Sequence, residues 1–202
     1  SYPNRGPWGD AHYRGNCSGF LVKDLILRFN CHSIFDPAQG SGTVKDVVDG
    51  INKYRQKNIQ YRGEDLKQGR DVLTSPIPHR QFDMIWYHPP YWDIIRYSDD
   101  PRDLSACKTL YEFEDKLNRS CERLISTLKP GGVLAILIGD KRKNGQYYTL
   151  FKTLLSNPNL GVLRAIIIKV QHNCKSQAND YGSSRFLIPI RHEYCLIFQK
   201  PD

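Results

Sequence analysis

Apolar residues in this chain follow two alternating patterns. Short, mostly apolar runs are separated by longer stretches whose apolar positions recur every three or four residues. The runs at 33–35 and 82–86 read as buried strands, and 133–138, apolar at every position, as a central parallel strand. Further strands are expected at 59–61, 70–73, 162–170 and 194–198. Helical spacing appears at 20–29 (Phe20, Leu21, Leu25, Ile26, Phe29), at 43–57 (Val44, Val47, Val48, Ile51), at 110–128 and at 147–155. The 110–128 helix meets Lys129-Pro130-Gly131-Gly132, a stop in which glycine supplies left-handed conformations and proline cannot continue the helix. Strands alternating with helices predict an α/β protein with a doubly wound sheet. No repeat or linker divides the sequence, so 1–202 reads as one domain, opened by an irregular arm over 1–19.

Composition narrows the class. A length of 202 residues with 40% hydrophobic content suits one compact core. No apolar run approaches the ~18 residues of a membrane span, and no charged-then-apolar leader is visible, so a cytoplasmic protein is expected. Six cysteines (Cys17, Cys31, Cys107, Cys121, Cys174, Cys195) form no C-x-x-C pair and read as reduced, mostly buried thiols. A zinc site could draw on His172 and Cys174, but the spacing asks for no metal. The net charge of +8 suits a polyanionic partner.

Chemistry concentrates in loops after strands, which line the ligand crevice of an α/β sheet. Asp36-Pro37-Ala38-Gln39-Gly40-Ser41-Gly42-Thr43 joins a strand to a helix. Gly40 and Gly42 permit positive φ and let backbone N–H groups approach a ligand. The loop lacks the lysine of a phosphate-binding loop, which argues against a nucleoside triphosphate. Asp36 offers a carboxylate to a cationic group. Past the next strand, Glu64 and Asp65 are candidates to accept from ribose hydroxyls, and Asp71 from an adenine amino group. A solvated acidic turn and a strand-end cap are the plain alternatives.

The second string is Tyr87-His88-Pro89-Pro90-Tyr91-Trp92. Each proline pushes its predecessor out of the α region, so His88 and Pro89 are held extended. Neither proline has an N–H, so the stretch presents carbonyl acceptors without competing donors. Tyr91 and Trp92 offer flat faces for a base. Two acceptors beside an aromatic face suit an exocyclic amino group, whose lone pair is drawn out of conjugation when both hydrogens are held.

These strings resemble those of class I S-adenosylmethionine-dependent methyltransferases that act on DNA amino groups. Residues 36–43 are similar to the DP-x-x-GSGT cofactor motif, and 87–91 to the [D/N/S]-PP-[Y/F/W] catalytic motif, with His88, Pro89, Pro90 and Tyr91 in the catalytic positions. Leu128-Lys129-Pro130-Gly131-Gly132 and His192-Glu193-Tyr194 also match family landmarks, so the likeness runs from 16 to 200. It implies a Rossmann-like seven-stranded sheet, mostly parallel with an antiparallel C-terminal strand. It also implies S-adenosyl-L-methionine across Gly40, Gly42 and Thr43, with Asp36 and Pro37 at the methionine end, Asp65 at the ribose and Asp71 at the adenine. Asn16 and Ser18, in the arm, fall where the family contacts the cofactor's carboxylate.

His88 departs from the usual Asp, Asn or Ser. A neutral imidazole still accepts one hydrogen bond, so activity is expected to fall below about pH 6.5 as the ring protonates. The resemblance implies a DNA partner whose target base leaves its stack. Trp92, Lys141, Arg142 and Lys143, the last three read as a loop, are candidate substrate contacts, with Lys175, Arg185 and Arg191 beyond them. The polar stretch 93–107 reads as a lid or a base-flanking loop. No recognition insertion is evident, so specificity is expected from a short target, a partner protein or a further domain. Adenine N6 is the first reading of the target and cytosine N4 the alternative. An inactive nucleic-acid-binding subunit and an RNA or protein methylase also remain open.

Overall fold

The computed structural model describes residues 2, 4–77, 81–172 and 188–202. Cys174, Lys175 and Arg185 lie outside them, so the readings placed on those residues have no structural counterpart. The described strands build a six-stranded sheet in the order β2 (Gln60–Gly63), β1 (Ser33–Asp36), β3 (Phe82–Tyr87), β4 (Leu128–Gly139), β8 (His192–Gln199), β7 (Val162–Val170). The first four in that order run parallel, and β8 pairs antiparallel with both β4 and β7.

Consecutive residues of the central strands are buried on opposite faces, which is why those strands are mostly apolar on both. Ile34, Met84, Trp86, Ala135 and Leu137 pack with α1 (Gly19–Arg28) and α2 (Thr43–Arg55). Phe35, Ile85, Tyr87, Leu134 and Ile136 pack with Phe113, Leu117, Cys121 and Leu124 of α3 (Leu110–Thr127). Thr109 caps α3 by accepting the Glu112 N–H at 3.1 Å. The described cysteines Cys17, Cys31, Cys107, Cys121 and Cys195 are unbridged and buried.

Several expectations need correction. The sheet has six described strands against seven expected, because 70–73 forms no strand. There Asp71 accepts from Leu73 N at 2.9 Å and Thr74 Oγ1 at 2.7 Å, while its own N–H donates to Ser75 Oγ at 2.8 Å. Those bonds curl the chain into a turn and leave β2 as the sheet edge. The helix expected at 147–155 shrinks to α4 (Lys152–Leu155), and 141–143 is no loop. Lys141–Lys143 (β5) and Gln146–Tyr148 (β6) instead form a hairpin. Asn144 and Gly145 turn it with φ of 50° and 77°, the left-handed pair a two-residue hairpin requires. That Asn-Gly signal was present in the sequence and outweighs the helical spacing. No helix among the described residues is long and apolar enough to cross a membrane.

Leu117 is fully buried where α3 meets the sheet. Leu117→Ala is expected to destabilise the fold by about 3 kcal/mol, read as a shift in the urea midpoint.

Candidate active site

The connection order places a topological switch between β1 and β3. From β1 the chain crosses to β2 on one side, and later returns to β3 on the other. The loops after β1 and β3 therefore open away from each other, and a crevice lies between them. One cavity of about 680 Å³ occupies it. Its wall includes Asn16 and Ser18 from the arm, Asp36, Pro37, Gly40 and Thr43 after β1, Asp65 and Asp71 after β2, and His88, Pro89, Pro90 and Tyr91 after β3. The two strings that stood apart in the sequence thus share a wall.

On the β1 side, Asp36 is 2% exposed and accepts from Ala38 N at 3.2 Å. Among the described residues no cation forms an ion pair with it. Burial pushes its carboxyl up to about 8, the Ala38 N–H offsets part of this, and the Asp65 charge adds to it. Such a group is set to receive a cation. Gly40, at φ 50°, donates its N–H to Asp65 Oδ2 at 3.0 Å, and a Cβ there would come within 2.9 Å of the Tyr13 ring. Gly42 does not line the cavity; at φ 82° it begins α2 and shapes the turn.

Asp65 also accepts from Lys67 N at 2.9 Å and so braces the glycine loop. Glu64 does not line the cavity, because Arg62 and Arg70 hold its carboxylate. Asp71 lines it while bracing its own turn. In the arm, Asn16 Oδ1 accepts from the Thr43 hydroxyl, and Gly9 N–H donates to Asp46 Oδ2 at 2.8 Å. Both bonds tie the arm to the first turn of α2.

On the β3 side a hydrogen-bonded chain runs across the sheet. His88 Nε2 lies 2.9 Å from Tyr91 Oη, which lies 2.8 Å from Glu193 Oε1, and Lys169 pairs with Glu193 Oε2. The Tyr91 ring rests on Gly139, where a Cβ would fall 2.8 Å from a ring carbon. Enclosure from solvent pushes the His88 imidazole down to about 4, against the pull of Glu193. The acid limb expected at pH 6.5 therefore moves towards pH 4. Glu193, Lys169 and Gly139 were not singled out as site residues from the sequence. A lone lysine near the end of an otherwise apolar run in β7, and the Glu193 opening β8, were the available signals.

Four candidate substrate contacts are placed elsewhere. Trp92, Lys141, Arg142 and Lys143 do not line the cavity. Trp92 is buried and donates its indole N–H to Cys107 O at 3.0 Å. The ammonium groups of Lys141 and Lys143 sit 4.7 and 4.6 Å from its ring centre and both pair with Asp93. Arg142 donates to Ile188 O at 3.1 Å. The hairpin that replaces the expected loop turns these lysines onto Trp92 and Asp93, which accounts for the difference. In the stretch 93–107, Ile94, Ile95, Tyr97, Ser98, Arg102, Asp103 and Leu104 do line the cavity. Tyr97 stacks on Tyr13 of the arm with ring centres 6.2 Å apart, and its hydroxyl donates to Arg14 O at 3.2 Å.

Asp36 has a stability signature of defined sign. In the unfolded chain its pKa is about 3.9, and in the fold it is about 8. Between these values the native state holds a proton that the unfolded state has lost, so stability falls as pH rises. Asp36→Asn removes that penalty. Its urea midpoint is expected to gain on wild type steadily from pH 5 to pH 8.5, and a constant gap would count against a buried, uncompensated carboxyl.

No family model and no curated protein matches the sequence. Solved structures do match. A candidate class I S-adenosylmethionine-dependent methyltransferase from Listeria monocytogenes superposes with a TM-score of 0.51 at 17% identity, over 91% of this chain and 59% of that one. A candidate sarcosine dimethylglycine methyltransferase from Galdieria sulphuraria gives 0.51 at 14% identity, over 91% and 85%. A candidate DNA modification methylase from Thermus thermophilus, solved with S-adenosyl-L-methionine, gives 0.45 at 22% identity, over 62% of this chain. The chain spans about 50% of that methylase's length. At these identities the likeness concerns architecture alone: the chain shares with the first two structures an α/β fold, here with a mostly parallel sheet and an antiparallel last strand.

Proposed function

We propose that this protein transfers a methyl group from S-adenosyl-L-methionine to the exocyclic amino group of a DNA base, adenine N6 first and cytosine N4 as the alternative. The observation that carries the reading is the shared cavity, with a buried carboxylate unpaired by any described cation at one end and the His88-Pro89-Pro90 turn at the other. The donor set fits the cofactor. Asp36 would hold its cationic methionine end, Asn16 and Ser18 its carboxylate, and Asp65 its ribose. Asp71, whose carboxylate oxygens keep further lone pairs, would face the adenine. When bound, the cofactor supplies an electrophilic methyl on a cationic sulfonium.

The chain's own part is to bind, hold and desolvate the amine. His88 and the proline-rich backbone accept its hydrogens, which leaves the nitrogen lone pair directed at the methyl. Tyr91 bounds the base. The net charge of +8 favours a polyanionic substrate. A base inside a duplex must be extruded to reach this turn, so single-stranded DNA is the easier substrate.

Cofactor binding has a proton signature. At pH 7 Asp36, at about 8, is mostly protonated, and pairing with a cation drives the proton off. Calorimetry with S-adenosyl-L-methionine in buffers of different ionisation enthalpy is expected to show release of close to one proton per site at pH 7, diminishing as the pH rises through about 8. Asp36→Asn should abolish both release and tight binding. No heat of binding at all would favour the inactive nucleic-acid-binding subunit.

Methyl transfer to DNA, followed by nucleoside mass spectrometry, tests the reaction and separates adenine N6 from cytosine N4. Parallel RNA and protein fractions test the remaining substrates. His88→Ala is expected to lower kcat by about a hundredfold with cofactor affinity retained. The acid limb of kcat is expected well below pH 6, because His88 titrates near 4. A midpoint near 6.5 would mean that the ring is solvated in the working enzyme.

A further inference from the structure

The chain that starts at His88 has a direction. Glu193 is 8% exposed, and burial by itself would raise its carboxyl. The Lys169 ammonium and hydrogen bonds from Lys169 and Tyr91 outweigh that, and its carboxyl lies below the ordinary range. Glu193 is therefore an ionised acceptor, and Tyr91 must spend its one hydroxyl proton on it. The Tyr91 oxygen can then meet His88 Nε2 only as an acceptor, so the proton of the neutral imidazole resides on Nε2. Nδ1 is left with its lone pair. Among the described residues no hydrogen bond to Nδ1 is formed, and His88 lines the cavity.

We infer that Glu193, held by Lys169 and acting through Tyr91, is a positioning residue that locks His88 in the Nε2–H tautomer and so presents Nδ1 as an acceptor for the substrate's amino group. The inference rests on the methyl-transfer reading for the identity of that group, but the tautomer lock rests only on the hydrogen-bonded chain and the charge of Glu193. It accounts for how histidine serves at a position that the catalytic motif fills with Asp, Asn or Ser. Those side chains present an acceptor oxygen without choosing a tautomer, whereas an unrestrained imidazole would offer a donor or an acceptor at Nδ1. The acidic residue at the start of β8 and the lysine in β7 remove that choice. Gly139 leaves room for the Tyr91 ring that connects them.

The lock is tested on the full chain without substrate. Nitrogen-15 NMR of histidine-labelled protein at pH 7.5, with His88 assigned by loss of its signals in His88→Gln, reads which ring nitrogen carries the proton. Wild type is expected to show protonated Nε2 and bare Nδ1. Glu193→Gln, whose amide can donate to Tyr91 and reverse the chain, and Tyr91→Phe, which cuts it, should both lose the Nε2–H preference. A wild-type ring protonated on Nδ1, or a tautomer unchanged in both variants, would overturn the lock.

The kinetic arm uses a mixed-sequence single-stranded oligonucleotide with S-adenosyl-L-methionine. Glu193→Gln should lower kcat by about tenfold or more, with the KM for the cofactor unchanged. A shifted tautomer with an undiminished kcat would overturn the catalytic role of the lock. A wild-type protein inert toward DNA yet carrying the Nε2–H ring would sink the substrate reading and leave the lock in place.

Discussion

The site depends on one pairing: β1 lies between β2 and β3 and is parallel to both. A strand flanked in this way sends its outgoing loop to one side while the loop of its neighbour turns to the other, so an opening forms at their carboxyl ends. Ile34 pairs with Met84 and Phe35 with Ile85, which sets Asp36 level with the end of β3. Because adjacent strands are separated by about 5 Å, residues 52 positions apart in sequence, such as Asp36 and His88, are delivered to one cavity. The apolar layers on both faces make that register rigid, since a slip by one residue would turn each buried side chain to the opposite face.

The buried carboxyl of Asp36 carries a cost in stability. Asp36 sits at the end of a fully buried strand with a single backbone donor and no cationic side chain paired with it among the described residues, an arrangement that disfavours its charged form. The surrounding structure is organised to maintain it. The arm is pinned to α2 through Asn16 and Gly9, Trp8 packs edge-on against Phe20, and Tyr13 meets Tyr97 from the other side of the opening. A ligand cation would offset the cost of ionising this group, which couples occupancy of the cavity to stability.

Net charge proved a poor guide to where charge is available. Lys141 and Lys143 are the most concentrated basic run in the sequence after a central strand, yet they pair with Asp93 over the face of Trp92. A buried indole, a carboxylate and two ammonium groups form a closed unit beneath the β5–β6 hairpin. The cavity is lined instead by other charged groups, among them Asp36 on one wall and the Lys169–Glu193 pair on the other.

What the sequence by itself determined was local in origin. Apolar runs set the central strands, helical spacing set α1, α2 and α3, and the glycine and double-proline strings marked the loops that line the cavity. Each of these follows from backbone sterics or from burial of neighbouring positions, which a few consecutive residues express. It also contained signals that point to the outcomes read otherwise, such as the Asn144-Gly145 turn and the self-capping Asp71 that cost the sheet a strand. Only the tertiary structure decided which side chains face the cavity. Tyr91 reaches Glu193 from 102 positions away, while Trp92, its immediate neighbour, turns into the core. The physical reason is that hydrogen-bond partners across a sheet are set by strand order and register, and those are properties of the whole packed chain.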